Sequence, residues 1–213
     1  LNITILDNKF ETDASTHDIC VLHGEKILAS QLSHVESKGY DFAPPFKIMT
    51  IHLYLIGVMW RHGESLDSVS NPREHAMESL HKMLLKTGMS NKNAAKRIAL
   101  LKDLSRGEES SETLALAAGY EAEQDDNSLD MIFDEYRDET RVSGALWRFY
   151  SRGKKFMLLG GGGAGFLALF FSTIYSPSGS LMSALTMGLL AAALVVVPTF
   201  IIGALIYRVK FKK

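Results

Sequence analysis

The sequence has very little cysteine, and its C-terminal third has no acidic residue. Cys20 is the only cysteine among 213 residues, which excludes an internal disulfide framework and fits a reducing compartment. No Asp or Glu follows Glu139. Residues 1–150 carry 24 acidic and 16 basic residues, a net charge of −8, whereas residues 151–213 carry seven Lys and Arg, a net charge of +7. Such asymmetry indicates a membrane or a polyanion beside the basic end.

Ionisable side chains are absent from a long stretch of the same basic end. From Phe156 to Tyr207 there are 52 consecutive residues without Asp, Glu, Lys, Arg or His. A helix needs about 20 apolar residues to cross a hydrocarbon core of about 30 Å, so the stretch is long enough for two crossings. The Ser-Pro-Ser-Gly-Ser sequence at residues 176–180 predicts the turn between them. We therefore predict a transmembrane helical hairpin in residues 151–213, with spans at Phe156–Tyr175 and Leu181–Tyr207. A hairpin buried in a soluble domain is the disfavoured alternative, since such domains seldom contain so long an uncharged run.

Basic residues flank the predicted hairpin, and none lies in its turn. Because positive residues are retained on the cytoplasmic side, this distribution predicts that both termini are cytoplasmic. We expect an integral membrane protein of a bacterial inner membrane. The flanking residues are Arg141, Arg148, Arg152, Lys154, Lys155, Arg208, Lys210, Lys212 and Lys213.

A run of glycines lies inside the first predicted span. It is not a phosphate loop, because no Lys-Ser/Thr pair follows it. Small residues four apart instead leave one helix face nearly bare, so another helix can approach it closely. That helix is either the second span or a separate subunit, including a second copy of this chain. The predicted helix-packing residues are Gly160, Gly161, Ala164, Gly165 and Gly188.

The remainder predicts a mainly α fold with a short β-hairpin at the N-terminus. In residues 1–45, strand-like patterns occupy 2–6, 19–22 and 26–29. Residues 46–150 read as an acidic, helical cytosolic domain. Its predicted helices are Phe46–Arg61, Pro72–Thr87 capped by Asn71, Asn91–Leu104, Ser111–Ala118, and Ser128–Tyr150 continuing towards the membrane.

The most acidic segment runs from Glu121 to Glu139, with nine acids and one base. Within it, Asp130, Asp134 and Asp138 recur every four residues, which predicts a ridge on one helix face. We take this ridge as the candidate surface for a basic partner. A solvated helix face is the plainer interpretation.

Histidines and the cysteine offer only weak chemical signals. His62, Glu64, Glu74, His75 and Glu78 match no zinc or di-metal spacing, so solvated polar roles are favoured. His17 and Cys20 lack an identifiable third partner for nucleophilic catalysis. We predict no catalytic residue, no metal site and no cofactor. Nucleic acid is excluded as a ligand by the acidic balance and the lack of a basic aromatic stripe.

These patterns favour a non-enzymatic, membrane-anchored accessory or scaffold subunit of a multiprotein complex. The acidic domain would recruit or regulate a partner, and the hairpin would pack against the bilayer and other membrane subunits. Two alternatives remain open at this stage. One is a membrane-bound immunity or inhibitor protein that occludes a basic toxin. The other is a membrane enzyme acting through His62, His75 or His81.

Overall fold

The regular structure of the described part of the chain is almost entirely helical. The computed structural model describes residues 2–106, 111–124, 126–175 and 180–210, and within these ranges no β-strand forms. The mainly α fold with two apolar C-terminal helices is therefore confirmed. Contacts divide the chain into two units, Leu1–Asp138 and Glu139–Lys213. The first unit holds 23 acidic and 14 basic residues and is net −9.

The structure has one long helix, α1 (Asn2–Ser37), where the sequence predicts a short β-hairpin. Its buried positions recur at intervals of three and four, which is the period of a helix and not of a strand. Several of these positions hold polar or small residues, so the pattern of hydrophobic residues alone does not show that they form one buried face of a helix. The buried positions of α1 are Thr16, Cys20, Val21, Gly24, Ile27, Gln31 and Val35.

Helix α2 (Pro44–Glu64) forms the centre of the first unit, where the sequence predicts a buried core helix. Its first turn contains proline, whose missing N–H is harmless there. Six consecutive residues from Leu53 to Val58 are buried, and Met59 follows them. Helix α5 (Ser111–Glu121) crosses it closely, because glycines at both contact points leave the backbones room to meet.

Helices α3 (Pro72–Lys86) and α4 (Asn91–Leu104) begin and end where local signals predict. The Asn71 side chain accepts a hydrogen bond from the Glu74 N–H at 3.3 Å, which caps α3. Gly88 adopts φ +89°, the left-handed conformation that ends a helix and that only glycine takes readily. These boundaries follow from residues adjacent in sequence.

The predicted continuous helix Ser128–Tyr150 is wrong. Helix α6 ends at Glu135, and a short 3₁₀ turn follows at Thr140–Val142. Helix α7 (Gly144–Phe156) then begins anew, with the Ser143 hydroxyl accepting from the Leu146 N–H. A serine cap outweighs the weak helical pattern that runs across the break.

The second unit contains two long apolar helices. A five-residue π segment, Met157–Gly161, joins α7 to α8 (Gly162–Tyr175), and α9 spans Leu181–Lys210. Gly144–Tyr175 and Leu181–Val209 are each long and apolar enough to cross a membrane. Only 6% of the most apolar window of the first helix is buried, and none of the second. Residues 176–179 of the predicted turn at 176–180 lie outside the described residues.

Candidate functional site

The two apolar helices approach each other through glycine. A Cβ built on Gly165 would lie 3.0 Å from the carbonyl oxygen of Gly188, and one on Gly188 would lie 3.1 Å from that of Gly165. A Cβ on Gly161 would lie 2.6 Å from a methyl group of Val196. Any larger side chain would therefore push α8 and α9 apart. Without a hydrophobic driving force in lipid, such close packing is what holds helices together.

The other predicted packing positions are less tightly enclosed. A Cβ on Gly160 would meet a Val195 methyl at 3.3 Å, and Ala164 is half-buried. Gly162 and Gly163 face open space. In this structure α9 therefore occupies one face of the glycine run, and packing against a separate subunit stays a prediction.

Two acidic residues of α6 are bonded to the segment that follows α1. Lys38 Nζ lies 2.6 Å from Asp130 Oδ2 and 2.7 Å from Asp134 Oδ2. The Tyr40 hydroxyl lies 2.7 Å from a carboxylate oxygen of each aspartate, as a hydrogen-bond donor. Asp130 has only 5% of its side chain exposed. One lysine and one tyrosine thus hold two carboxylates together.

The ionisation of this group follows from its contacts. Hydrogen bonds donated by Lys38 and Tyr40 lower the pKa of Asp134, and the hydrogen bonds that Lys38 donates to Asp130 and Asp134 raise the pKa of Lys38. Burial, followed by the two carboxylates, raises the pKa of Tyr40 to about 12. At neutral pH the cation and the Asp134 carboxylate therefore stay charged, and the phenol stays protonated.

The three aspartates do not form one ridge. Helix α6 ends at Glu135, so Asp138 lies beyond it, exposed and out of helical register with Asp134. Asp130 is buried, and Asp134 also pairs with Arg137 at 2.7 Å. Asp130 therefore belongs to the interior of the domain, and the half-exposed Asp134 is already paired with cations of this chain. A partner-binding role for the three stays a prediction.

A groove between α5 and α6 exposes part of the apolar surface of the first unit. Leu114, Ala117 and Ala118 lie on the outer side of α5, spaced for one face. Met131 and Ile132 of α6 face the same space, a cavity of about 370 Å³. Leu114 is 43% exposed and Met131 is 63% exposed. The remaining lining includes three carboxylates, Glu121, Asp126 and Glu135.

Cys20 lies in a buried polar cluster between α1 and α3. The His17 and His75 rings stack with centroids 3.9 Å apart, and Cys20 Sγ lies 3.8 Å from His75 Nδ1. His17 Nδ1 lies 2.9 Å from the Ser79 hydroxyl, and Thr16 Oγ1 lies 3.3 Å from His75 Nε2. Burial raises the pKa of the Cys20 thiol to about 11, so the thiol stays protonated at neutral pH. A protonated, fully buried thiol is a packing group and a poor nucleophile.

The histidines considered for catalysis fall into separate surroundings. His75 belongs to the cluster with His17, whereas His62 stacks on His23 with centroids 4.1 Å apart. His81 is half-exposed on α3. No group of three or more His, Cys, Asp or Glu able to hold a metal occurs among the described residues.

Two stacked histidine pairs and the Lys38 contacts are what sequence reasoning missed. The partners are separated by 39 to 96 residues in the chain, and nothing in their local spacing marks them. The sequence gives a weak indication of the groove, because Leu114, Ala117 and Ala118 recur at helical spacing and so lie on one face of α5.

Comparison with known proteins adds no relationship: no protein-family model matches the chain, and no curated protein or solved structure is significantly similar to it.

Proposed function

We propose that this chain is a membrane-anchored accessory subunit whose acidic helical domain recruits or regulates another protein. The observation that carries the proposal is the pair of apolar helices, whose surfaces stay exposed within the chain. Large side chains such as Leu159, Phe166, Tyr175 and Leu181 are about 70–80% exposed. Each square ångström of apolar surface costs about 25 cal/mol in water, which favours lipid around these helices.

The composition of the two helices supports an anchor more than a transport path. No Asp, Glu, Lys, Arg or His lies between Phe156 and Tyr207, whereas proton relays and ion paths through membranes are built from such residues. Basic residues on both outer flanks favour cytoplasmic termini. The first unit (Leu1–Asp138), called the acidic unit below, would then lie in the cytoplasm.

The α5–α6 groove supports the recruiting role and indicates the chemistry of the partner. An apolar floor with Leu114 and Met131 exposed suits the apolar face of a helix laid along it. The exposed carboxylates of Glu121 and Glu135 favour Lys or Arg beside those apolar residues. We therefore assign the partner a basic, amphipathic helical segment.

Membrane anchoring is tested by fractionation of the full-length protein. We expect it to sediment with membranes at high speed, to resist alkaline carbonate, and to enter the supernatant only with detergent. Recovery in the supernatant without detergent would remove the anchor.

Topology needs an engineered thiol, because Cys20 is fully buried and reports neither side. In a Cys20→Ser background, Glu36→Cys places a thiol at an exposed position of α1. An impermeant maleimide should label this thiol only after the cells are permeabilised. Labelling in intact cells would place the acidic unit outside.

The docking groove is tested by site-specific crosslinking of the full-length protein in a nanodisc. A photo-crosslinking residue at Met131 should capture a Leu/Lys amphipathic peptide and should not capture its Leu/Glu counterpart. Leu100 on α4 is the matched control, since it is 48% exposed but lies outside the groove lining. Glu121→Gln with Glu135→Gln should weaken capture at 131. Equal capture at the two positions would contradict the assignment.

A further inference from the structure

A second cavity of the acidic unit has a different chemistry from the groove. It lies where α1 passes the C-terminal end of α2 and has a volume of about 430 Å³. This volume is within the range of small-molecule sites in proteins. Apolar contacts come from Ile27, Val58 and Ala122, and polar ones include His23, Lys26, Arg61 and His62.

His62, which is one of the residues that line this cavity, has an unused hydrogen-bonding atom. Its ring stacks on His23 with an interplanar angle of 12°, which holds the ring in place. Its Nε2 is buried and has no hydrogen-bond partner within the described part of the chain. Buried polar atoms are nearly always paired, so an orphaned one calls for a specific explanation. A ligand in the cavity supplies one.

Two cations line the same cavity in a unit that is otherwise strongly acidic. Neither Lys26 nor Arg61 pairs with a carboxylate among the described residues. Arg61 donates instead to the backbone carbonyls of Tyr120 and Glu121, at 3.4 and 3.0 Å. Glu123 is the one acidic residue of the lining. The cavity is therefore net positive within a unit of net charge −9.

Another basic cavity of this unit has two of its three cations paired with carboxylates. It is lined by Arg73, Lys102 and Arg106 together with Glu74. Lys102 lies 2.8 Å from the Glu74 carboxylate, and Arg106 lies 3.9 Å from Asp103. The cavity at His62 differs in that neither of its two cations pairs with a carboxylate among the described residues.

We propose that the cavity at the end of α2 binds a small organic anion, a carboxylate or phosphate attached to a small apolar group. Lys26 and Arg61 attract the charge, His62 Nε2 forms the missing hydrogen bond, and Ile27, Val58 and Ala122 contact the apolar part. This site goes beyond the docking function proposed above and does not depend on it.

Proton uptake accompanies binding in this arrangement. Desolvation lowers the pKa of both His23 and His62, and for His23 the neighbouring His62 and Lys26 lower it further. The charged groups facing the rings are Lys26 of α1, Arg61 of α2 and Glu123 after α5. An anion beside the rings would favour their protonated form. Binding should therefore tighten as the pH falls towards and below 6.5.

The test is calorimetry on the full-length protein in a non-ionic detergent, with benzoate and phenyl phosphate as probes. Benzamide, the neutral counterpart of benzoate, should not bind. Lys26→Gln and His62→Phe should each weaken binding by about tenfold, the loss expected for one charge-assisted hydrogen bond. Lys92→Gln and His34→Phe change exposed residues elsewhere and should leave binding unchanged. Benzamide binding as tightly as benzoate, or full binding in Lys26→Gln, would overturn the proposal.

Two further measurements, one at a second pH and one with a lipid, also test the proposal. Benzoate should bind several times more tightly at pH 5.5 than at pH 7.5, and the His62→Phe variant should lose most of this difference. A short-chain phosphatidic acid, used below its micelle-forming concentration, separates sources of the anion. Binding equal to that of phenyl phosphate assigns the cavity to a lipid headgroup, and weaker binding assigns it to a free anion. Binding of neither anion, in a variant-free protein shown to be folded, would dismiss the site.

Discussion

Gly57 of α2 lies directly against Leu116 of α5. A Cβ built at Gly57 would overlap the carbonyl oxygen of Leu116 and lie 2.5 Å from the backbone nitrogen of Tyr120. The neighbouring atoms belong to backbone and cannot rotate away. The same crossing places Gly119 of α5 against the backbone of Tyr54. Two glycines thus set the distance between the central helix and its closest partner.

The Gly57→Ala substitution should therefore destabilise the acidic unit. We expect a loss of about 3 kcal/mol or more in the free energy of unfolding, at the upper end of what overpacking costs. Gly63→Ala is the matched control in the same helix, because its nearest neighbour would be an ordinary 3.5 Å away. That control should be neutral or stabilising by up to about 1 kcal/mol. Urea unfolding followed by near-UV circular dichroism compares the two, and equal midpoints would refute the close crossing.

Lys38→Met should lower the melting temperature of the acidic unit. The substitution leaves the buried Asp130 carboxylate without its cation, which is the costly way to break a buried pair. We expect a decrease of roughly 5 °C at pH 7. Lys92→Met, at an exposed position of α4, should leave the melting temperature unchanged.

Lowering the pH should reduce the difference in melting temperature between the Lys38→Met variant and the parent protein. The folded pKa of Asp134 lies below its ordinary value, so its contribution is present above about pH 4 and is lost as the pH falls through the folded pKa. The gap between the two melting temperatures should shrink below about pH 4. A gap of constant size at acid pH would contradict the assigned role of the carboxylates.

His52 should make the stability of the acidic unit depend on pH in a second window. Burial, with a smaller effect from Arg97, lowers its pKa to about 4, and its Nδ1 is buried without a hydrogen-bond partner among the described residues. The unfolded chain therefore binds the proton more tightly, and stability should fall as the pH drops from about 6.5 towards 4. The loss from this residue is at most about 3 kcal/mol.

The His52→Leu variant isolates that contribution. It replaces the imidazole by an apolar group of similar size, so stability between pH 6.5 and 4 should decline less steeply than in the parent. His34→Leu, at an exposed position of α1, should keep the parental slope. Parallel curves for His52→Leu and the parent would show that His52 is not the group responsible.

Gly165→Ile should loosen the apolar hairpin. The Cβ at this position would meet the carbonyl oxygen of Gly188 at 3.0 Å, and the larger branched side chain would force α8 away from α9. Gly162→Ile is the control, because nothing lies within 4 Å of its Cβ. Thermal unfolding in detergent should be shifted downwards by Gly165→Ile and not by Gly162→Ile. Equal shifts would indicate that α9 does not occupy this face.

Helices whose signals are local were predicted well from sequence. The boundaries of α4, and the start of the second apolar helix at Leu181, agree with the structure. Composition and end signals act over a few residues, so they can be read from one sequence. The break after α6 was missed because a serine cap competed with a weak pattern.

Helix α1 was missed because its buried face is partly polar. Gln31 is fully buried, and its side chain donates to the Asp126 carbonyl oxygen at 2.8 Å and accepts weakly from the Leu129 N–H. Those partners lie about 95 residues away. A polar residue becomes a core residue only when such distant groups satisfy it.

The sequence by itself determined the two apolar helices and the segregation of charge, because solvation of each side chain depends on its own chemistry. Only the tertiary structure decided which charges meet. Lys38 pairs with both Asp130 and Asp134, and His62 stacks on His23 and lines a cavity. Such contacts depend on how the helices of the acidic unit pack against one another. A local sequence pattern does not determine the distances between these helices.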